Sequence, residues 1–165
     1  MGEAIKTRRG KAQEIDPLLF YDEGNENISV TGGWGVGYTD GNGTQTKESN
    51  HLYFAVNGTV ENFRTYVTNN AINMTNINSI SFEYEINLIS GNGNYSYSGI
   101  AETRDEKWQA AFVRPQSQNQ SLARGVYTLD VSGVSGNFYV KCTALYSSGT
   151  SGSLTMKVHR VWGEA

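Results

Sequence analysis

The stretch "SISFEYEINLI" at residues 79–89 alternates apolar and polar side chains with a period of two. One face of this stretch carries the apolar residues Ile80, Phe82, Tyr84, Ile86 and Leu88. The other face carries the polar residues Ser81, Glu83, Glu85 and Asn87. This alternation is typical of a strand in an antiparallel sheet that packs on a core with one side and faces solvent with the other.

The same period recurs in the C-terminal third of the chain. Three further strands are predicted there: "GVYTLDV" (125–131), "NFYVKCTALY" (137–146) and "SLTMKVHRVW" (153–162). In the last of them the pattern directs Leu154, Met156, Val158 and Trp162 inward and Thr155, Lys157 and His159 outward. Shorter strands are predicted at residues 17–22, 51–56, 63–67, 95–102 and 107–113.

Gly- and Asn-rich turns separate these strands. Such residues supply the positive φ angles that hairpin turns need, and they occur in "DGNG" (40–43), "NG" (57–58), "GNGN" (91–94), "SGVSGN" (132–137) and "SSGTSG" (147–152). The segment 68–78 is interpreted as a loop because it is rich in Asn. The pattern as a whole predicts an all-β fold, an antiparallel β-sandwich of jelly-roll type over residues 17–165.

Few residues in the chain suit catalysis or metal binding. Cys142 is the only cysteine, so the chain can form neither an intramolecular disulfide nor a thiolate metal cage. The two histidines, His51 and His159, fall on different predicted strands. We therefore predict no metal site, no cofactor and no catalytic residues. The absence of a signal peptide and of a long apolar run predicts a chain that is made in the cytoplasm and is not inserted into a membrane.

Glu83 and Glu85 leave one enzymatic alternative open. Residues two apart on a strand lie about 6.6 Å apart, which is close to the carboxylate spacing of an inverting glycosidase. Alternating acids on an outer strand face also protect a sheet from aggregation. We favour the second interpretation because nothing in the sequence near these residues would raise the pKa of only one of them.

Aromatic residues in or beside Gly-rich loops are the stronger candidates for function. Candidate contacts with a glycan or with a neighbouring subunit are Trp34, Tyr38, Tyr95 and Trp108, with Tyr97 close by. An aromatic ring packs against the apolar face of a sugar while Asn, Gln and Ser side chains bond its hydroxyls. The alternative is that each ring caps one end of the core. Phe82 and Trp162 are predicted to be core residues.

The N-terminal segment "AIKTRRGKAQEIDP" (4–17) differs from the rest of the chain. Residues 1–11 hold four cations and one acid, whereas residues 12–165 hold nine cations and fifteen acids. We interpret residues 1–16 as an extended docking arm whose contacts are made by Lys6, Arg8, Arg9 and Lys11; the alternative is a solvated tail. Nucleic-acid binding is disfavoured because no basic stripe continues from the arm onto a strand.

The segment Lys6-Thr7-Arg8-Arg9-Gly10, followed by Asp16 and Pro17, resembles the N-terminal segments of appendage proteins of tailed bacteriophages, especially those of Gram-positive hosts. The stretch "YDEGNENISVTGGW" (21–34) is similar to the start of small β-sandwich modules in such phages. The resemblance covers about the first fifth of the chain. It implies a virion location, assembly in the host bacterial cytoplasm, other virion proteins and further copies of the chain as partners, and a host-surface glycan as a target.

Together these features predict a non-enzymatic structural protein of a phage particle, in the tail, baseplate or fibre. Three alternatives stay open at this point. The first is a capsid decoration or head-fibre protein with the same arm and sandwich. The second is a free carbohydrate-binding module, and the third is an enzyme that uses Glu83 and Glu85.

Overall fold

The computed structural model describes residues 18–26, 28–58, 61–91, 95–114, 120–146 and 152–165. Within these ranges the chain forms twelve strands: β1 (Leu18–Asp22), β2 (Trp34–Val36), β3 (Asn42–Lys47), β4 (Leu52–Gly58), β5 (Asn62–Thr68), β6 (Ile72–Asn73), β7 (Ser79–Ser90), β8 (Ser98–Ala101), β9 (Ala111–Val113), β10 (Leu122–Asp130), β11 (Asn137–Tyr146) and β12 (Gly152–Glu164). The described residues contain no helix long and apolar enough to cross a membrane.

The strands form two antiparallel sheets that pack face to face. Sheet I has the order β10-β7-β12-β4-β3, with β1 paired to β12. Sheet II has the order β2-β5-β11-β8-β9, with β6 paired to β11. The chain passes repeatedly from one sheet to the other, as expected for a jelly roll. The predicted all-β antiparallel sandwich is therefore confirmed.

The core lies between the sheets and is built by the predicted alternation. Ile80, Phe82, Tyr84 and Ile86 of β7 are all buried in it. From sheet II, Val140, Cys142 and Ala144 of β11 contribute to the same core. Burial raises the pKa of the Cys142 thiol well above its ordinary value, so this thiol stays protonated and acts as a small apolar group.

Strand β11 differs from its predicted pattern because its outer face is buried as well. Lys141, Thr143 and Leu145 point away from the core, yet they are buried. The segment 102–110 covers this face: the Lys141 ammonium donates to the carbonyl of Glu106, and Nε2 of Gln109 donates to Oγ1 of Thr143 at 3.2 Å. Burial lowers the pKa of Lys141.

Three short strands, β2, β3 and β6, were not predicted. β3 begins at Asn42, inside the "DGNG" stretch that was expected to form a hairpin turn. Asp40 instead bridges to Phe63 of sheet II, whereas Asn42 pairs with Asn57 of sheet I, so this stretch carries the chain between the sheets. β6 lies in the segment that was interpreted as a loop, and it is anchored there by the buried Ile72.

A β-bulge in β12 corrects two further predictions. The register against β7 shifts between Val158 and Arg160, which leaves His159 as an extra residue. His159, expected on the solvent side, is buried. After the bulge the side chain that points into the core is that of Val161 and not that of Trp162. Trp162 is half-buried outside the core, and its Nε1 donates to Glu164 Oε2 at 2.8 Å. A period-two pattern read from sequence continues through such an insertion and assigns the wrong face after it.

The arm predicted for residues 1–16 lies outside the described residues. The same holds for most of the two turns "GNGN" and "SSGTSG". The docking role of Lys6, Arg8, Arg9 and Lys11 accordingly stays a prediction.

Candidate functional site

The outer face of sheet I carries a groove that crosses four of its strands. It consists of two adjoining depressions that share Tyr53 and Lys157. The larger one has a volume of about 590 Å³ and continues over Glu85, Asn87, Ile89 and Thr155. The smaller one has a volume of about 360 Å³ and continues over Thr44, Thr46, Glu48 and His51. We call the two together the groove.

Strand register places the groove residues in two neighbouring rows. In the first row Thr46 of β3 pairs with Tyr53 of β4, Tyr53 with Lys157 of β12, and Lys157 with Glu85 of β7. Because neighbouring strands lie about 4.8 Å apart, this row spans about 14 Å. It is therefore long enough for several units of an extended chain molecule.

The second row explains why the surface is hollow. Two residues further along the strands, Thr44 pairs with Ala55, Ala55 with Thr155, and Thr155 with Asn87. Ala55 and Thr155 are small, whereas Tyr53 and Lys157 beside them on the same strands are long. The long side chains of Tyr53 and Lys157 therefore form one wall of the groove, and the short side chains of Ala55 and Thr155 form its floor.

The β3–β4 hairpin closes one end of the groove. Its turn is held by a hydrogen bond from the Glu48 amide to the carbonyl of His51 at 2.9 Å. The Glu48 carboxylate accepts a hydrogen bond from the hydroxyl of Thr46. Nδ1 of His51 donates to Oδ1 of Asn50, 2.6 Å away, because an amide oxygen only accepts. This end of the groove therefore presents several fixed polar groups.

His159, the extra residue of the bulge in β12, contacts one of the groove residues. Its Nε2 lies 2.7 Å from Oε2 of Glu85. An ionised carboxylate only accepts hydrogen bonds, so Nε2 carries the proton and donates. The His51 and His159 rings lie 5.8 Å apart. Burial, together with the nearby Lys157 and His159, lowers the pKa of His51 below its usual 6.5.

The chemistry of the groove suits a neutral polyhydroxy ligand. Tyr53 offers an aromatic ring at the centre of the groove, and hydroxyls, an amide, an ammonium and two carboxylates surround it. Such groups match sugar hydroxyls, each of which both donates and accepts. One ammonium against two carboxylates leaves no excess positive charge for an anionic ligand. Among the described residues, no three His, Cys, Asp or Glu side chains are placed to hold a metal ion.

The two glutamates of the enzymatic alternative have separate partners. Both project outward from β7 as predicted, and both are half-buried. Glu83 forms an ion pair with Arg124 of β10, with Nε and Oε2 2.8 Å apart, and does not line the groove. Glu85 bonds His159 instead.

The structure separates the four aromatic residues that were predicted as contacts. Trp34 and Tyr95 are buried, with exposed fractions of 1% and 0%, so they cap the core as the alternative interpretation had it. Nε1 of Trp34 donates to the carbonyl of Phe20 at 2.8 Å. Tyr38 and Trp108 instead flank Phe63 on the outer face of sheet II, with ring centroids 5.7 and 5.5 Å from it.

Sequence reasoning missed the groove, although part of its signal was visible. The alternation placed Glu85, Asn87, Thr155 and Lys157 on outer strand faces. Tyr53 lay in a predicted strand, but no pattern in the sequence indicated that β4, β12 and β7 are neighbours. Without that strand order, the polar residues of three distant segments could not be assembled into one site.

No family model matches the chain, and no curated protein matches its sequence. The solved structures that match the chain include three carbohydrate-binding modules at 9–12% identity. A carbohydrate-binding module of the β-sandwich superfamily, studied for promiscuous specificity, matches with a TM-score of 0.52 at 12% identity, over 94% of this chain and 65% of that chain. The structural alignment thus spans less than two thirds of that protein.

The other two structures are also carbohydrate-binding modules. A family 11 module from Clostridium thermocellum, in complex with a β-1,3-1,4-mixed-linked tetrasaccharide, matches with a TM-score of 0.43 at 10% identity, over 78% of this chain and 87% of that chain. The mannan-recognising module TmCBM27 matches with a TM-score of 0.45 at 9% identity, over 90% and 96% of the two chains. The match with a TM-score of 0.52 supports the β-sandwich fold of this chain. An identity of 12% supports the fold alone.

Proposed function

We propose that this chain is a non-catalytic carbohydrate-binding β-sandwich that holds a linear glycan across the groove of sheet I. The observation that carries the proposal is the row Thr46–Tyr53–Lys157–Glu85, which four strands place side by side above the low floor of Ala55 and Thr155. The similarity of the fold to a carbohydrate-binding module supports it.

Each part of the groove has a defined role in this proposal. The Tyr53 ring packs against the apolar CH face of one sugar unit, since the electron-rich face of an aromatic ring attracts such groups. Lys157 donates to ring or hydroxyl oxygens on one side of Tyr53. Glu85 is oriented by His159 and accepts from a sugar hydroxyl. A few well-placed polar groups around an aromatic surface are what small-molecule sites generally use for specificity.

A glycan array followed by calorimetry tests this function. The array should contain mixed-linked β-glucan, mannan and bacterial cell-wall polysaccharides, and we expect binding to at least one linear glycan. Tyr53→Ala should weaken that binding at least tenfold. Tyr139→Ala is the matched control, because Tyr139 lies in β11 of sheet II. Equal affinities of the two variants would contradict the proposal.

The virion role remains a separate proposal based on the resemblance of "KTRRG" and on the charge of residues 1–11. In this proposal the arm attaches the sandwich to a phage particle and the groove faces the host surface. Capsid decoration is the variant of the same design in which the groove has no receptor role. Deletion of residues 2–11 should abolish incorporation into particles, as measured by mass spectrometry of purified virions.

A further inference from the structure

The outer face of sheet II carries a second candidate ligand surface, on the opposite side of the molecule from the groove. It is formed by five aromatic residues, Tyr38, Phe63, Tyr97, Trp108 and Phe112, which we call the aromatic cluster. Trp108 and Phe112 are 48% and 39% exposed. Among the described residues these are the two aromatic side chains most open to solvent.

The rings of the cluster contact one another in a continuous series. Phe63 is the buried base, and Trp108 stands nearly perpendicular to it with an interplanar angle of 85°. Tyr97 lies between the two exposed rings, with centroids 5.6 Å from Trp108 and 4.5 Å from Phe112. Phe112 lies opposite Gly99 in the β8–β9 pair, so no side chain of Gly99 competes with the ring for space.

Trp108 is held in place by the segment that covers sheet II. Two hydrogen bonds join this segment to β11: the Lys141 ammonium donates to the carbonyl of Glu106, and Gln109 donates to the hydroxyl of Thr143. The Ala110 amide adds a hydrogen bond to the carbonyl of Ile100 at 2.8 Å. The exposed indole therefore has little freedom to lose when a ligand binds, which favours affinity.

Charged groups are fixed at the edges of the cluster. The Lys107 ammonium lies 5.0 Å from the Trp108 ring and 5.1 Å from the Phe63 ring, and it pairs with Glu61 Oε1 at 2.7 Å. The Arg114 guanidinium donates to the Tyr97 hydroxyl at 2.9 Å and lies 5.4 Å from the Phe112 ring. Both cations are within reach of a polar ligand that lies on the exposed rings.

The exposed aromatic area suits a small flat ligand better than a second copy of the chain. A Trp or Phe side chain offers about 150–250 Å² when fully exposed. With the exposed fractions of 48% and 39%, Trp108 and Phe112 together present about 200 Å². A stable protein interface buries about 800 Å² on each partner, whereas a sugar ring is covered by a single indole.

We propose that the aromatic cluster is a second glycan-binding surface, in which a pyranose ring stacks on Trp108 while Lys107 and Arg114 bond its hydroxyls. This site is independent of the groove, because the two lie on the outer faces of different sheets. A chain with both sites binds two glycan segments at once. Its avidity for a polysaccharide then exceeds the affinity of either site alone.

Fluorine NMR of the full chain labelled with 5-fluorotryptophan tests this proposal. The three tryptophans, Trp34, Trp108 and Trp162, give three resonances that single Trp→Phe variants assign. The probes are cellohexaose, mannohexaose and chitohexaose at millimolar concentration. We expect a saturable shift of the Trp108 resonance with at least one probe and no shift of buried Trp34. The Trp108 shift should persist in the Tyr53→Ala variant, in which the groove is disabled.

Three results would overturn the second site. The first is the absence of a Trp108 shift with all three probes. The second is a shift that disappears in Tyr53→Ala, which would indicate one site only. The third concerns self-association. A dimer that dissociates on Trp108→Ala in analytical ultracentrifugation, with no glycan effect, would assign the cluster to self-association instead. If Tyr53→Ala leaves all binding intact while Trp108→Ala reduces it roughly tenfold, the groove proposal fails and this one stands.

Discussion

Nε2 of His159 lies 2.7 Å from Oε2 of Glu85, and this contact joins a buried residue of a bulge to the wall of the groove. The bulge in β12 adds one residue between Val158 and Arg160, which points the imidazole at β7 instead of into solvent. The irregularity thus fixes the orientation of one groove carboxylate.

Replacement of Glu85 and of Glu83 should have different effects, although both residues lie on the same face of β7. Glu85→Ala leaves the buried His159 without its acceptor, which should cost about 1–3 kcal/mol in the free energy of unfolding. It should also weaken glycan binding. Glu83→Ala removes a more exposed pair with Arg124 and should cost about 1 kcal/mol or less. Urea denaturation and calorimetry measure both effects, and identical losses for the two variants would contradict this assignment.

The stability of the fold should decrease at acidic pH through His51. Its pKa is lowered from 6.5 in the folded chain, so the unfolded chain takes up a proton more readily. The stabilisation is present above the unfolded pKa and is lost as the pH falls through the lowered one. His51→Gln should therefore show a smaller decrease in the free energy of unfolding between pH about 7.5 and about 5. Parallel decreases in the wild type and the variant would contradict a role of His51.

Trp34 should act in stability and not in binding. Trp34→Phe removes the donor to the carbonyl of Phe20 and leaves a gap beside the edge-on ring of Tyr21. The expected loss is about 2–4 kcal/mol in the free energy of unfolding, with unchanged glycan affinity. Trp108→Phe is the control on an exposed indole and should change stability by about 0.5 kcal/mol or less. If the folded Trp34→Phe variant lost glycan affinity, Trp34 would be a ligand contact and the prediction would be wrong.

Gly99 is required for the pairing of β8 with β9. A Cβ at this position would lie 2.1 Å from the carbonyl oxygen of Ala111 and 2.7 Å from Cα of Phe112, so the strands would have to separate. Gly99→Ala should cost about 1–3 kcal/mol and displace Phe112 from the aromatic cluster. At Gly133 a Cβ would meet nothing within 4 Å, so Gly133→Ala is the matched control. Thermal denaturation of both variants tests this prediction. Equal melting temperatures would contradict the close approach of β9 to Gly99.

Deletion of residues 2–11 should leave glycan binding unchanged. Every residue that lines the groove lies between Thr44 and Lys157, and those of the aromatic cluster lie between Tyr38 and Phe112. The truncated chain should therefore keep its melting temperature and its affinity in calorimetry. A loss of affinity without a loss of stability would assign the basic segment to the glycan site instead of to particle attachment.

The fold class follows from the sequence alone, because apolar–polar alternation is a local property that any sheet must satisfy. The pattern of β7 predicts which of its side chains enter the core, and the structure confirms it for Ile80, Phe82, Tyr84 and Ile86. The outward positions of Glu85, Thr155 and Lys157 follow from the same rule. A single aromatic residue beside a glycine gives no such local signal, so the sequence could not decide between ligand contact and core capping for Trp34 and Tyr95, which are buried.

Which of the outward residues become neighbours depends on how the strands pair in three dimensions. Thr46 and Tyr53 meet within one hairpin, whereas Lys157 and Glu85 join them through strand pairing over long sequence distances. The bulge at His159 and the covering of sheet II by residues 102–110 likewise depend on contacts between distant segments. Local alternation sets the face of the sheet on which a side chain lies, whereas the register between strands sets which side chains are its neighbours. The groove depends on which side chains are neighbours, so it could not be predicted from alternation.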